Sequence, residues 1–249
     1  MKFYGLIGHP LKHSYSKDYF ENKFRSDCLD CKFDNFDIES LDMLENIIDS
    51  NPELQGFTVT HPYKNEIIGH LDFVDENAEK IGAVNAVKID SDRKLHGFNT
   101  DYIGFQELLK EAISEKEISR AIVCGTGGAS KAVQYTLKKM NIDYQTVTRH
   151  SNTEGNLTYT QLKAIGFHDN ELIINATPLG MHPNVNECAD IPYDTINSSN
   201  VLIDLIYNPG ETLFLKKGVT RGASTYNGLK MLHIQADAAW SIWNKEQQI

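Results

Sequence analysis

The run Arg120-Ala121-Ile122-Val123-Cys124-Gly125-Thr126-Gly127-Gly128-Ala129-Ser130 constrains this chain more than any other feature. A short apolar stretch stops in a cluster of glycines. A helical pattern follows, in which Ala132, Val133, Tyr135, Thr136, Leu137 and Met140 supply one packing face. The pattern predicts strand, tight turn and helix, and a further strand ending in Thr146-Val147-Thr148-Arg149. Gly125 permits the tight turn, and Gly127 lets the backbone approach a pyrophosphate. The helix beyond offers free N–H groups and the positive end of its dipole. Gly125 and Gly127 match a G-x-G-x-x-G pattern, with Ser130 in place of the third glycine. A unit of this kind begins a dinucleotide-binding fold. The competing reading is a plain strand-to-helix turn with no ligand.

The end of the next strand sorts the cofactor. A site for NAD usually carries an acidic residue about 20 positions on, for the ribose 2′-hydroxyl. Here Thr148-Arg149-His150 stands there instead. A carboxylate repels a 2′-phosphate, whereas a guanidinium holds one with paired donors, so NADP is expected in preference to NAD. The competing reading leaves Arg149 on the surface with no partner of this kind.

The remaining sequence fits an α/β protein. At 249 residues the chain suits two compact domains or one large one. Before residue 100, strand-like stretches at 3–8, 31–38 and 56–60 alternate with helix-like stretches at 17–25 and 41–50, which predicts a largely parallel sheet. A second unit carries a helix at 105–115, then the glycine turn, then buried strands at 171–176 and 201–205. A long last helix, from about 229 to 245, carries Trp240 and Trp243 and is expected to return to the first domain. The expected division is a substrate domain of residues 1–102 with 229–249, and a Rossmann-like dinucleotide-binding domain of residues 103–228. Small-molecule sites commonly lie in a cleft between two such domains.

Bulk properties exclude several classes. A net charge of −10 disfavours nucleic acid. No window is long and apolar enough to span a bilayer. The apolar start stops at His9-Pro10, too short for a signal peptide, and reads as a first strand. Of the four cysteines, Cys28 and Cys31 form one C-x-x-C, with no further ligands at the spacing a zinc site needs. Cys124 sits in an apolar run and reads as core. Four reduced thiols and no metal are expected, as in a reducing cytoplasm.

Three polar segments of the first domain invite chemistry. In His13-Ser14-Tyr15-Ser16, two hydroxyls at i and i+2 suit one carboxylate; taken alone, a helix cap at Ser16 is the simpler reading. In Gly56-Phe57-Thr58-Val59-Thr60-His61-Pro62-Tyr63-Lys64, a strand is stopped by proline and a lysine follows. The simpler reading there is a capping turn with a solvated lysine. In Gly97-Phe98-Asn99-Thr100-Asp101-Tyr102-Ile103-Gly104, Asp101 opens the next helix, again as a possible cap. A keto–alcohol interconversion needs a proton donor and acceptor at oxygen while hydride moves at carbon. A lysine and an aspartate close together supply it, but sequence does not show that Lys64 and Asp101 meet.

Taken in order, these segments resemble the shikimate dehydrogenase family over at least residues 5–235. The likeness lies in Ser14-Tyr15-Ser16, Val59-Thr60-His61-Pro62-Tyr63-Lys64, Gly82-Ala83-Val84-Asn85, Gly97 to Asp101 and the glycine turn. It continues through Asn175-Ala176-Thr177-Pro178-Leu179-Gly180-Met181, Asp204-Leu205-Ile206-Tyr207-Asn208-Pro209 and Asn227 to Gln235. The resemblance implies NADPH-dependent, reversible reduction of 3-dehydroshikimate to shikimate in aromatic amino-acid biosynthesis, by a cytoplasmic monomer or homodimer. It implies Lys64 and Asp101 as the catalytic pair and Ser14 and Ser16 on the substrate carboxylate. Thr60, Asn85, Asp101, Tyr207 and Gln235 would hold ring hydroxyls or orient Lys64. Gly125, Thr126, Gly127, Gly128 and Ala129 would carry the pyrophosphate. Thr148 and Arg149 would meet the 2′-phosphate, and Leu205, Gly228 and Met231 the nicotinamide. Glu76 occupies a family position near the cofactor.

Three departures stand out. Thr58 replaces the usual Asn before V-T, and Lys17 replaces a proline after S-x-S. The 2′-phosphate loop reads Thr148-Arg149-His150-Ser151-Asn152-Thr153, with Arg149 its only fixed cation, although no acidic residue there favours NAD. His150 adds charge only at low pH. The rival readings are an NAD-preferring quinate/shikimate dehydrogenase and a catalytically silent metabolite-binding homologue. Retention of both Lys64 and Asp101 argues against the second. A methylene-tetrahydrofolate-type dehydrogenase shares the layout but has no need of S-x-S or Asn99-Thr100-Asp101.

Overall fold

A computed structural model describes residues 1–11, 15–149 and 155–244. Strand β1 (Lys2–Gly8) is buried along six of its seven residues, the mark of a strand covered on both faces. It pairs in parallel with β2 (Cys31–Asp37) on one side and β3 (Leu54–Val59) on the other. The crossovers that parallel pairing demands are α1 (Tyr15–Ser26) and α2 (Leu44–Ser50). The expected helix at 41–50 is split: Ser40 caps a 3-10 turn at Leu41–Met43, and α2 follows.

Beyond β3 the pattern changes. Strand β4 (Phe73–Val74) and helix α3 (Glu76–Ile81) precede β5 (Ala86–Ile89) and β6 (Leu95–Phe98). The sheet order is β2-β1-β3-β5-β6-β4, with β5 antiparallel to both β3 and β6. The largely parallel sheet expected from sequence is therefore a mixed one. The cause is local. Between β5 and β6 lies a tight turn in which Asp90 accepts the N–H groups of Asp92 and Lys94 and Arg93 takes φ 63°. A connection that short joins only antiparallel neighbours.

This sheet is covered on both faces. Phe3, Ile7, Leu54, Phe57, Val59, Val84 and Val87 belong to one buried cluster. Tyr4, Leu6, Phe20, Phe24, Phe33 and Trp243 belong to the other. Trp243 comes from the last helix, and its indole N–H donates to the Val87 carbonyl at 2.9 Å. A Cβ on Gly56 would stand 2.5 Å from that indole nitrogen, so glycine is what lets the tryptophan seat. The C-terminal helix thus returns to the first sheet, as the sequence predicts. Burying a side chain of this size stabilises by about 3 kcal/mol.

The chain divides into two compact units, Met1–Thr100 with the chain from Gln235 onward, and Asp101–Ile234. The second unit opens with α4 (Asp101–Ala112), four residues earlier than periodicity alone places it. Then come β7 (Arg120–Cys124), α5 (Gly128–Lys139), β8 (Tyr144–Thr148), β9 (Leu157–Thr158), α6 (Tyr159–Ile165), β10 (Glu171–Asn175), β11 (Val201–Asp204), α7 (Leu213–Thr220), β12 (Ser224–Tyr226) and α8 (Leu229–Asn244). The sheet order is β12-β11-β10-β7-β8-β9, and every pairing is parallel. Strands β10 and β11 are buried throughout, because helices cover both faces. From β7 the chain runs first to β8 on one side and later to β10 on the other. That reversal makes the carboxyl ends of β7 and β10 the topological switch point, where open α/β sheets commonly bind ligands. No helix among the described residues is long and apolar enough to cross a membrane. All four cysteines are free, and burial pushes the Cys124 thiol up to about 12.

Candidate active site

In the first unit the site is built where β3 ends. The Thr60 N–H donates to the Ile7 carbonyl at 2.9 Å, and the Tyr63 N–H closes a turn onto the Thr60 carbonyl at 3.0 Å. The buried Tyr63 hydroxyl donates to the Ile38 carbonyl at 2.6 Å. Lys64 follows, half-buried, and its carbonyl accepts the Val84 N–H at 2.7 Å. The turn before Lys64 and the lysine's own carbonyl are thereby both held. Gly8 makes room for this turn: a Cβ there would stand 2.4 Å from Thr60 Cγ2.

One residue beyond Val84, Asn85 enters a buried polar cluster. Its Oδ1 accepts the Thr100 N–H at 2.6 Å, and its Nδ2 donates to Thr100 Oγ1 at 2.9 Å and to Gln235 Oε1 at 3.2 Å. Asn85, Thr100 and Gln235 are 2, 0 and 8 % exposed. Nearby, Asn99 Nδ2 donates to the Ala83 carbonyl at 2.9 Å. Burying so many uncharged polar groups together is costly unless they are satisfied. It leaves a rigid set of amides and hydroxyls suited to a polyol.

Other expected residues of this unit fare differently. Ser16 lies inside the first turn of α1, which begins at Tyr15, so it is not the helix cap. Ser14 lies outside the described residues, as does His150. Glu76 is exposed at the start of α3 and pairs with Lys80 at 2.6 Å, an ordinary i,i+4 ion pair.

In the second unit the glycine turn is built as the sequence predicts. Gly125 has φ +114°, and a Cβ there would lie 2.9 Å from the Ala176 carbonyl oxygen, so only glycine fits. Gly127 is different. It has φ −75° and ψ −178°, open to any residue, and a Cβ there would meet nothing within 4 Å. The chain itself has no need of glycine at 127. Ser130 is not a defect in the motif. It is fully buried, and its hydroxyl donates to the Gly125 carbonyl at 2.6 Å, which locks the turn. Thr126, Gly128 and Ala129 complete the turn and the first residues of α5. These features fit a dinucleotide pyrophosphate.

Thr148 ends β8, and Arg149 follows it, exposed, with no described carboxylate in that position. Asp101 opens α4 as its first residue and is buried. Leu205 and Tyr207 follow β11, and Gly228 and Met231 stand at the start of α8. A Cβ on Gly228 would lie 2.0 Å from the Leu205 carbonyl oxygen, so that glycine is required by the close approach of the two segments.

Sequence reasoning named Ser130 only as a replacement for the third glycine and did not single out Thr100, Asn175 or Asp204. Thr100 and Asn175 sat in runs already noted, and a polar residue beside an apolar strand end was the available signal. Asp204 lies in the strand expected to be buried at 201–205, and its carboxylate is fully buried with it.

Comparison with known proteins gives a consistent result. A family profile described as the shikimate dehydrogenase substrate binding domain matches residues 6–87. The shikimate dehydrogenase (NADP(+)) of Methanococcus aeolicus is 38% identical over 97% of this chain and 91% of its own length. A crystal structure of shikimate dehydrogenase 1 from Peptoclostridium difficile has a TM-score of 0.86 at 36% identity, covering 100% of this chain and 94% of that one. The Thermus thermophilus shikimate 5-dehydrogenase in complex with NADP(H) and shikimate has a TM-score of 0.85 at 27% identity, covering 98% and 94%.

Proposed function

The chain belongs to the shikimate dehydrogenase family, and from that premise we propose that Lys64 and Asp101 carry proton transfer in the reversible, NADP-dependent interconversion of 3-dehydroshikimate and shikimate. The enzyme is an oxidoreductase acting on a CH–OH group, in the route to aromatic amino acids. The observation that supports the site reading best is the Asn85–Thr100–Gln235 cluster. It gathers uncharged amides and a hydroxyl beside the end of β3, where Asn85 accepts the Val59 N–H, and these are the residue types that match a ring with several hydroxyls.

In this reading the first unit with the body of α8 is the substrate domain, and the second is the cofactor domain. Bound NADP supplies the hydride acceptor, and NADPH the donor. The Lys64 ammonium gives its proton to the substrate carbonyl oxygen during reduction and takes it back from the hydroxyl during oxidation. Asp101 accepts from that hydroxyl. Asn85, Gln235, Thr60 and Tyr207 fix the ring hydroxyls, and Ser14 with Ser16 holds the carboxylate. Gly125 to Ala129 receives the pyrophosphate, Thr148 and Arg149 the 2′-phosphate, and Leu205, Gly228 and Met231 border the nicotinamide. Glu76, on the first unit, is the family position assigned to the cofactor's edge; its ion pair with Lys80 makes it the weakest member of the set. The working enzyme is a monomer or homodimer of the cytoplasm, without nucleic-acid partners.

The test is absorbance at the nicotinamide band with purified protein, shikimate or quinate, and NADP+ or NAD+. Oxidation of shikimate with NADP+ well above all other pairs supports the assignment. Comparable rates with NAD+ or with quinate overturn the cofactor and substrate choice. Folded protein inert with every pair overturns the catalytic roles of Lys64 and Asp101.

A further inference from the structure

Strand β11 ends in Asp204, whose carboxylate has no exposed surface. It accepts three hydrogen bonds: from Asn175 Nδ2 at 3.0 Å, from the Ile206 N–H at 3.0 Å and from Thr212 Oγ1 at 2.6 Å. An unpaired buried carboxylate is costly, and burial outweighs the three hydrogen bonds to push its pKa up to about 6. An asparagine would be cheaper to bury but does not do the same job. Thr212 Oγ1 already accepts the Leu215 N–H at 3.3 Å, and its own proton needs an acceptor. Only an acid at 204 accepts from all of these donors at once.

The donors lead to two places. Asn175 Oδ1 accepts from Thr177 Oγ1 at 2.6 Å and from the Thr177 N–H at 3.1 Å, which fixes the segment 175–177. That segment is the wall behind the glycine turn: the Ala176 N–H bonds the Cys124 carbonyl at 2.9 Å, and a Cβ on Gly125 would lie 3.1 Å from Thr177 Cγ2. Ile206 leads the other way. Its carbonyl accepts the Gly228 N–H at 3.0 Å, which fixes Leu205 against Gly228. The phosphate end and the nicotinamide end of the proposed cofactor site are each a short relay from one carboxylate.

We propose that Asp204 is a positioning residue for the dinucleotide: one buried carboxylate sets the spacing between the glycine turn and the Leu205–Gly228 wall. This rests on the reading of the second unit as the NADP site. The test compares wild type, Asp204→Asn and Thr177→Val by calorimetric titration with NADP+ in the absence of shikimate, by steady-state kinetics, and by circular dichroism. In folded Asp204→Asn the NADP+ dissociation constant and KM rise on the order of tenfold, while the shikimate KM stays within about twofold. Thr177→Val, which removes the hydroxyl bond to Asn175 and the acceptor of the Leu179 N–H while leaving Asp204 and its Ile206 arm intact, raises the NADP+ constant by about threefold at unchanged fold. A folded Asp204→Asn that binds NADP+ within about twofold of wild type overturns the proposal. If Asp204→Asn does not fold, Thr177→Val decides: a raised constant supports the relay, and an unchanged one overturns it. Wild-type protein that binds no NADP+ overturns the cofactor reading beneath, a result separable from either variant outcome.

Discussion

The two halves of the proposed site are made from different materials. In the first unit the site is made of side chains: Asn85, Thr100 and Gln235 satisfy one another in a buried cluster, and the Lys64 carbonyl is held by the Val84 N–H. In the second unit it is made of backbone and missing atoms: a left-handed Gly125, and a Gly127 beside open space. The contrast follows from the ligands. A small ring with several hydroxyls is recognised by matched donors and acceptors, whereas a pyrophosphate needs close N–H groups and room.

The contrast is broken most severely at Lys64. Lys64→Ala should lower kcat by on the order of a hundredfold or more, with a modest change in shikimate KM. A near-normal rate removes Lys64 from the chemistry.

Next comes Asp204, the charged exception in the backbone-built half. Its folded pKa, about 6, is raised from the ordinary 3.8. The stability it contributes is fully present below the ordinary value and is lost as pH rises through about 6. Over that window wild type should lose roughly 3 kcal/mol relative to Asp204→Asn. The nearby titratable groups, Cys124 and Tyr193, are both held neutral through the window by burial. Urea unfolding of both proteins from pH 4 to 7 measures it, and a constant difference would mean an unshifted carboxyl.

Gly127 sharpens the comparison. A Cβ at 127 meets nothing within 4 Å, so Gly127→Ala should cost no more than about 1 kcal/mol, as a poorer helix cap, while the NADP+ KM rises about tenfold. Gly125→Ala should instead cost about 1–3 kcal/mol of stability, because it strains the turn. If both variants lose only stability, the turn is a plain connector.

The smallest expected effect is at Arg149. Arg149→Ala should raise the NADP+ KM by several-fold to about tenfold and leave NAD+ use nearly unchanged. Equal losses with both cofactors assign Arg149 to the fold.

These halves were also unequally legible in the sequence. The strand–glycine–helix unit of residues 120–139 was plain, because a strand buried on both faces and an amphipathic helix leave strong periodic signals. The mixed sheet was not. Strand β4 has two residues and β5 and β6 four each, too short for a period to register. Helices α3, α6 and α7 were also passed over, although each has a capping residue: Asp75, Thr158 with Gln161, and Thr212. Those caps were the available signal. Lys64 and Asp101 stood out by type and motif. Thr100 and Asp204 did not, because their roles depend on neighbours 135 and 29 positions away in the chain.

The seat of Trp243 has a bearing on biogenesis. A ribosome delivers the first hundred residues early, but the indole that fills the Gly56 gap and the Gln235 amide that completes the Asn85 cluster emerge only after residues 101–234. Residues 101–234 are by then fully made. The amino-terminal half therefore waits on residues made after the whole of the other half, which leaves residues 101–234 free to mature first.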